Sequence, residues 1–300
     1  VTGTGLLLAI GGVLCFSLRP ILIKLAYEWS QDPITLLALR MTFAAPFFAG
    51  VAIWTRRRDV LNPLSSRDLT YVVLLGLLSY YAASFLDFLA LQYISAGLGR
   101  LVLFLYPTLV VLLSAVFLAR PMTGRELVAL VLTYAGLALV LSHTFNGNRD
   151  VLFGAALAMA SSVCYAVYLV AGSQVIARVG SMRFSAYAMV AATVACLLQF
   201  VVLRPFGALD VPVQVLGYAA TMAIVSTVVP VFLTAEALRR VGANTVAIVG
   251  ALGPVSTILL GWVGLEEVMT PLQLAGVALV LAGVLAVSIR GASIRGASHR

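Results

Sequence analysis

The sequence predicts an all-α integral membrane protein of ten transmembrane helices, built as two inverted five-helix repeats with both termini cytoplasmic. Three observations predict it. The 300 residues are 62% apolar and only 10% charged, against roughly 45–50% and about 25% in soluble domains. The apolar residues fall into ten runs, each close to the roughly 20 residues that cross a bilayer as a helix. The second half of the chain also repeats the first. Such a composition excludes a soluble enzyme, a disordered chain and a disulfide scaffold.

Charge and turn residues punctuate the runs, which cover 4–26, 33–54, 69–92, 95–118 and 123–142, then 151–173, 184–203, 212–236, 242–265 and 270–289. The gap after the second run holds Arg56, Arg57, Arg58 and Arg67, and the gap after the fourth holds Arg120 and Arg125. Arg178 and Arg183 flank the gap between the sixth and seventh runs. Arg239 and Arg240 lie between the eighth and ninth, and Arg290, Arg295 and Arg300 follow the tenth. Those thirteen arginines fall on one side of the membrane, whereas Lys24, Arg149 and Arg204 fall on the other. Cytoplasmic loops carry the excess of basic residues, so both ends are expected inside. The first run is read as a retained helix and not as a cleaved signal.

The formal net charge is +8. The cations mark loops and are not interleaved with aromatics as single-strand binding requires, so no nucleic-acid partner is expected. Membrane lipid and a small molecule are the expected partners, and a monomer is the expected state. Cys15, Cys164 and Cys196 sit singly in apolar runs and are read as packing residues. The sequence has no HExxH, GxSxG or Walker loop, so neither catalysis nor a metal nor a cofactor is expected.

At an offset of 147 residues, Ser79–Val140 aligns without a gap on Ser226–Val287, with 20 of 62 positions identical. Pro107 meets Pro254, Met122-Thr123 meets Met269-Thr270, and Ala135-Gly136 meets Ala282-Gly283. The units are 1–145 and 146–290, with a flexible cytoplasmic tail over 291–300. Five spans is an odd number, so the halves cross the membrane in opposite senses. Inverted repeats of this kind recur in secondary transporters, which bind substrate near the midplane between the repeats.

The stretch LEEVMTPLQLAGVALVLAGVL, Leu265–Leu285, resembles the signature of the EamA branch of the drug/metabolite transporter superfamily. Glu266, Glu267, Thr270, Gln273 and Gly276 hold the signature positions, and the first half keeps Thr123 and Gly136 but has Arg120 in place of the acid. LALRMTFAAP around Arg40 and ALRRVGANTVAIVGALGPV leading to Pro254 resemble the family's second and ninth helices. The resemblance implies ten helices in two inverted halves that export small metabolites. Within that superfamily the chain resembles the aromatic amino acid exporter branch (YddG type). The expected function is therefore export of amino acids, aromatic or hydrophobic, across the bacterial inner membrane by alternating access. A non-transport polytopic receptor or scaffold is the alternative of another class; within transporters it is an exporter of another drug or metabolite.

Four ionisable residues fall inside spans: Arg19, Arg40, Asp87 and Arg100. A charge at the bilayer centre costs at least a few kcal/mol. The four lie at similar depth in the outer half, which reads as an ion-pair cluster, a carboxylate site or a gate. Arg19 precedes Pro20, which frees a backbone carbonyl beside it. A second constellation is aromatic and hydroxylic. Tyr80, Ser84 and Asp87 share a face at i, i+4 and i+7, Tyr81 lies on the adjacent face with Phe85 and Phe88, and Tyr106, Tyr165 and Tyr168 lie on the fourth and sixth helices. Arg19, Tyr80, Tyr81, Ser84, Tyr106, Tyr165 and Tyr168 are the substrate-binding candidates. Pro20, Pro107, Pro230 and Pro254 lie inside spans, where a missing hydrogen bond loosens the helix; they are the hinge candidates. Pro46 also lies inside a span. Small residues four apart (Ala243, Ala247 and Ala251; Gly253, Thr257 and Gly261; Ala278, Ala282 and Ala286) are expected at helix contacts.

Overall fold

An apolar run has no water to satisfy its backbone in lipid, so it must close its hydrogen bonds internally. The computed structural model describes residues 3–58, 64–117, 122–145, 148–250 and 252–297, and among them there is no strand. In the first half, α1 (Gly3–Ser17) and α2 (Arg19–Tyr27) form one interrupted span, followed by α3 (Pro33–Arg58). The third span is α4 (Ser66–Gly76), a π segment (Leu77–Ala83) and α5 (Ser84–Ala90). Then come α6 (Ala96–Leu103), α7 (Tyr106–Phe117) and α8 (Gly124–Phe145).

The second half runs through α9 (Arg149–Val179), α10 (Ser181–Leu203), α11 (Val213–Ala223), a π segment (Ile224–Val228), α12 (Val229–Gly250), α13 (Leu252–Leu265) and α14 (Pro271–Ala297). Among the described residues, eight helical stretches are long and apolar enough to cross a membrane, from Gly3–Tyr27 to Val213–Thr234, and Leu252–Leu265 and Pro271–Ala286 are shorter apolar helices. Helix α14 is helical to Ala297, so the segment expected to be a flexible tail from residue 291 is helical for most of its length.

The repeat is visible in backbone detail. Both π segments begin at matched positions, Leu77 and Ile224. Both fifth spans start on the same reciprocal cap: Thr123 N–H donates to Glu126 Oε2 at 2.8 Å and Thr270 N–H to Gln273 Oε1 at 2.8 Å. The halves also pack by exchange. Helix α9 lies against the third and fourth spans of the first half, while α1 lies against α12 and α13. Helix α8 packs along α14 so closely that a Cβ on Gly136 would stand 2.6 Å from Gly276 O. At the matched site a Cβ on Gly283 would stand 2.6 Å from Ala129 O.

Two expectations fail. Residues 237–241, expected to be a loop, lie inside the continuous α12. In the first half the chain does break there, because Ser95 caps α6 by accepting from Leu98 N–H at 3.2 Å and Glu267 accepts from Ala96 N–H at 2.8 Å. The position matching Ser95 is Gly242, which has no side chain to accept. The Ala278 and Ala282 stripe is exposed, and the close face of α14 is Gly276, Val280 and Gly283 instead. Ala251 and Arg120 lie outside the described residues, as do the side chains of Ala243 and Ala247. Gly253, Thr257 and Gly261 are buried as expected at a helix contact, with Thr257 Oγ1 donating to Ser17 O at 3.2 Å.

Candidate functional site

The interruption between α1 and α2 falls at Leu18, because Pro20 cannot donate to the carbonyl four residues before it and takes its place in the first turn of α2. That break turns Arg19 inward, where it is 8% exposed. Its Nη2 lies 2.7 Å from Asp87 Oδ2, and Asp87 is 3% exposed. Arg40 on α3 is 2% exposed; its guanidinium lies 5.2 Å from the Phe88 ring centre and reaches Thr227 Oγ1 at 3.5 Å. Arg100, in the last turn of α6, is 9% exposed. The Phe16 ring receives two cations, Arg19 at 4.9 Å and Arg100 at 4.7 Å from its centre, a placement the ring quadrupole favours. The structure thus gathers all four intramembrane charges, three cations to one acid. Buried Nε atoms of Arg19, Arg40 and Arg100 have no hydrogen-bond partner.

The tyrosines form a wall beside this cluster. Tyr106 and Tyr165 meet edge to face at 5.0 Å, Tyr165 stacks on Tyr168 at 5.6 Å, and Tyr168 meets Tyr80 at 5.9 Å, with 3.5 Å between the last two hydroxyls. Tyr165 is within electrostatic reach of Arg100 and Arg19. The wall therefore borders the cations, and the site offers guanidinium donors on one side and ring faces on the other.

Tyr81 is not part of this wall: it packs with the cluster containing Phe48, Met189 and Cys196. That cluster also holds Phe85 and Phe88, the neighbours expected for Tyr81, and both Tyr80 and Tyr81 lie in the π segment. Ser84 is buried at the start of α5. Pro107 stands in the first turn of α7, Pro254 lies in α13, and Pro230 follows the second π segment in α12. π-type turns within α-helices occur frequently at functional sites.

Sequence reasoning missed one further feature at an end of the bundle. A cleft of about 360 Å³ is lined by Lys24, Tyr27, Glu28, Gln31, Gln92 and Glu267, with Leu91 and Leu265. It lies at the end of the bundle where Gln92 Nε2 donates to Gln31 O and Asp32 pairs with Arg204 at 2.8 Å. Glu267 reaches across from the second half to accept from Ala96 and Gly97 N–H at 2.8 and 3.2 Å. Lys24 as the sole lysine was the available signal; the grouping with Glu28, Gln31 and Gln92 is tertiary.

A repeated bundle of membrane-length helices with charges held inside, away from lipid, defines a multi-pass membrane protein of the transporter class. Comparison with known proteins makes this specific. The description of the EamA-like transporter family matches residues 3–142 and again residues 152–289, so the chain belongs to that family. It is 29% identical to the uncharacterized transporter YcbK of Bacillus subtilis (strain 168), over 88% of this chain and 86% of that one. It is 28% identical to the threonine/homoserine exporter RhtA of Escherichia coli (strain K12), over 71% and 68%. A probable terminal-alkyne amino-acid exporter of Streptantibioticus cattleyicolor is 27% identical over 75% of each chain. A solved crystal structure shares the fold at TM-score 0.63 and 20% identity, over 97% of this chain and 100% of that one.

Proposed function

We propose that the protein exports amino acids with aromatic or hydrophobic side chains across the cell inner membrane, by alternating access between two inverted five-span halves. The observation that carries the reading is the tyrosine wall Tyr80–Tyr168–Tyr165–Tyr106 set beside Arg19 and Arg100. Rings suit an apolar side chain and guanidinium suits a carboxylate. Two relatives whose names specify amino-acid export support it. The eight long apolar stretches together with Leu252–Leu265 and Pro271–Ala286 supply the ten spans. The arginine distribution puts both termini in the cytoplasm. Pro20, Pro107, Pro230 and Pro254 are the bending points and Arg40 ties α3 to the second π segment.

The test is transport into proteoliposomes with a panel of amino acids, aromatic ones included. Saturable uptake with counterflow is expected. Binding without flux would leave a receptor, and flux without counterflow a channel. A C-terminal reporter active only outside the cytoplasm should stay silent.

A further inference from the structure

The three arginines of the cluster are not equivalent. Arg19 is engaged by Asp87, the acid of the cluster. Arg40 rests on Phe88 and reaches Thr227. Arg100 makes neither a hydrogen bond nor an ion pair among the described residues, although it is 9% exposed and its Nε is fully enclosed. Its neighbours are the Phe16 ring and the bare backbone of Gly253, where a Cβ would stand 3.2 Å from Nη2. A guanidinium carries five N–H donors, and an unpaired charge in a low-dielectric interior costs several kcal/mol. Among the described residues the Phe16 ring and the Asp87 charge offset part of that cost, and neither accepts a hydrogen bond from Arg100.

Its position points to what does. Glu267, at the cleft, caps the first turn of α6 at Ala96 and Gly97. Arg100 is one turn further along the same helix, about 5–6 Å deeper. Tyr106 and Tyr165 of the aromatic wall are within its electrostatic reach. Gly253 and Tyr106 are also repeat mates at an offset of 147, so Arg100 is bordered by the same repeat position of each half.

We propose that Arg100, and not Arg19, receives the carboxylate of the transported compound; this rests on the exporter reading above. The site takes small molecules that combine a carboxylate with an apolar or aromatic body. It rejects the same body without the carboxylate.

The test uses the purified full chain in detergent, with phenylalanine, 3-phenylpropionate and phenethylamine as probes and thermal stabilisation as the readout. Phenylalanine and 3-phenylpropionate should stabilise, and phenethylamine should not. Arg100→Gln should weaken binding of both carboxylates about tenfold or more, the loss of a charge-assisted hydrogen bond, and Arg100→Lys should restore part of it. If Arg100→Gln does not fold, Gly253→Ala serves, because it crowds Nη2 with the guanidinium still in place; it should weaken the two carboxylates several-fold. Equal binding of phenethylamine, or unchanged carboxylate binding in these variants, would overturn the proposal. So would sodium chloride alone giving the full Arg100-dependent stabilisation, which would mark a halide site. Carboxylate binding without any flux would sink the exporter reading and leave the Arg100 site standing. Phenylalanine flux unaltered by Arg100→Gln would sink the Arg100 site and leave the exporter.

Discussion

Arg19 Nη2 and Asp87 Oδ2 are 2.7 Å apart, and this bond joins the break in the first span to the helix that follows the π segment of the third. Both partners are nearly enclosed, with side-chain exposures of 10% and 4%. Removing one member of a buried pair strands the other and costs about 3–5 kcal/mol. Asp87→Asn is therefore expected to lower the melting temperature strongly, and the double variant Arg19→Gln/Asp87→Asn to recover much of the loss. Thermal unfolding in detergent checks both; a wild-type melting temperature for Asp87→Asn would show that the pair does not hold the spans together.

The α8–α14 contact should be intolerant of a single methyl. Gly136→Ala puts Cβ 2.6 Å from Gly276 O, which is backbone and cannot step aside. Overpacking of this sort costs about 1–3 kcal/mol. Gly217→Ala is the control, because a Cβ there meets nothing within 4 Å and alanine favours the helix by up to about 1 kcal/mol. Opposite shifts in unfolding temperature are expected.

Pro107→Ala and Pro254→Ala are each expected to slow transport several-fold while leaving substrate binding nearly intact, with a larger effect in combination. Initial rates in proteoliposomes alongside binding titrations separate the two quantities. Unchanged rates in both variants would remove the hinge role.

A pH effect is expected from Asp32, in the turn before α3. Partial burial opposes its charge, but hydrogen bonds from Arg204, from the Thr35 hydroxyl and from Ile34 N–H outweigh that and hold its pKa below the usual carboxylate range. A depressed folded-state value gives stability that is present above the unfolded value of about 3.9 and is lost as pH falls through the folded one. Arg204 is 36% exposed, so the contribution is at most about 1 kcal/mol. Asp32→Asn should destabilise modestly at neutral pH, and the gap to wild type should close in acid. A gap constant down to pH 3 would assign the effect elsewhere.

The spans were legible because lipid imposes one rule along the whole chain: Pro33, Gly124 and Ser181 open helices close to where charge and turn residues placed the boundaries. The four charges were legible for the same reason, since Arg19, Arg40, Asp87 and Arg100 had no other place to go than inward. The π segments were not, because Leu-Leu-Ser-Tyr-Tyr-Ala-Ala contains no glycine or proline to announce an extra residue per turn. The cleft was illegible because Lys24, Gln92 and Glu267 come from three separate hairpins. The continuity of α12 through residue 242 was hidden by Arg239 and Arg240, which read as a loop by charge; within the helix Arg240 pairs with Glu236 at 2.6 Å, one turn away.

The Glu267 bond to the first turn of α6 is a latch thrown from one half onto the other, at the end of the bundle that holds the cleft. The sequence position that would throw the mirror latch at the opposite end is Arg120, a cation, which cannot accept from an N–H. The two matched positions therefore differ in chemistry: a carboxylate that joins the halves at the cleft end stands where the first repeat has a guanidinium, so the likeness of the halves is not a likeness of their bonds.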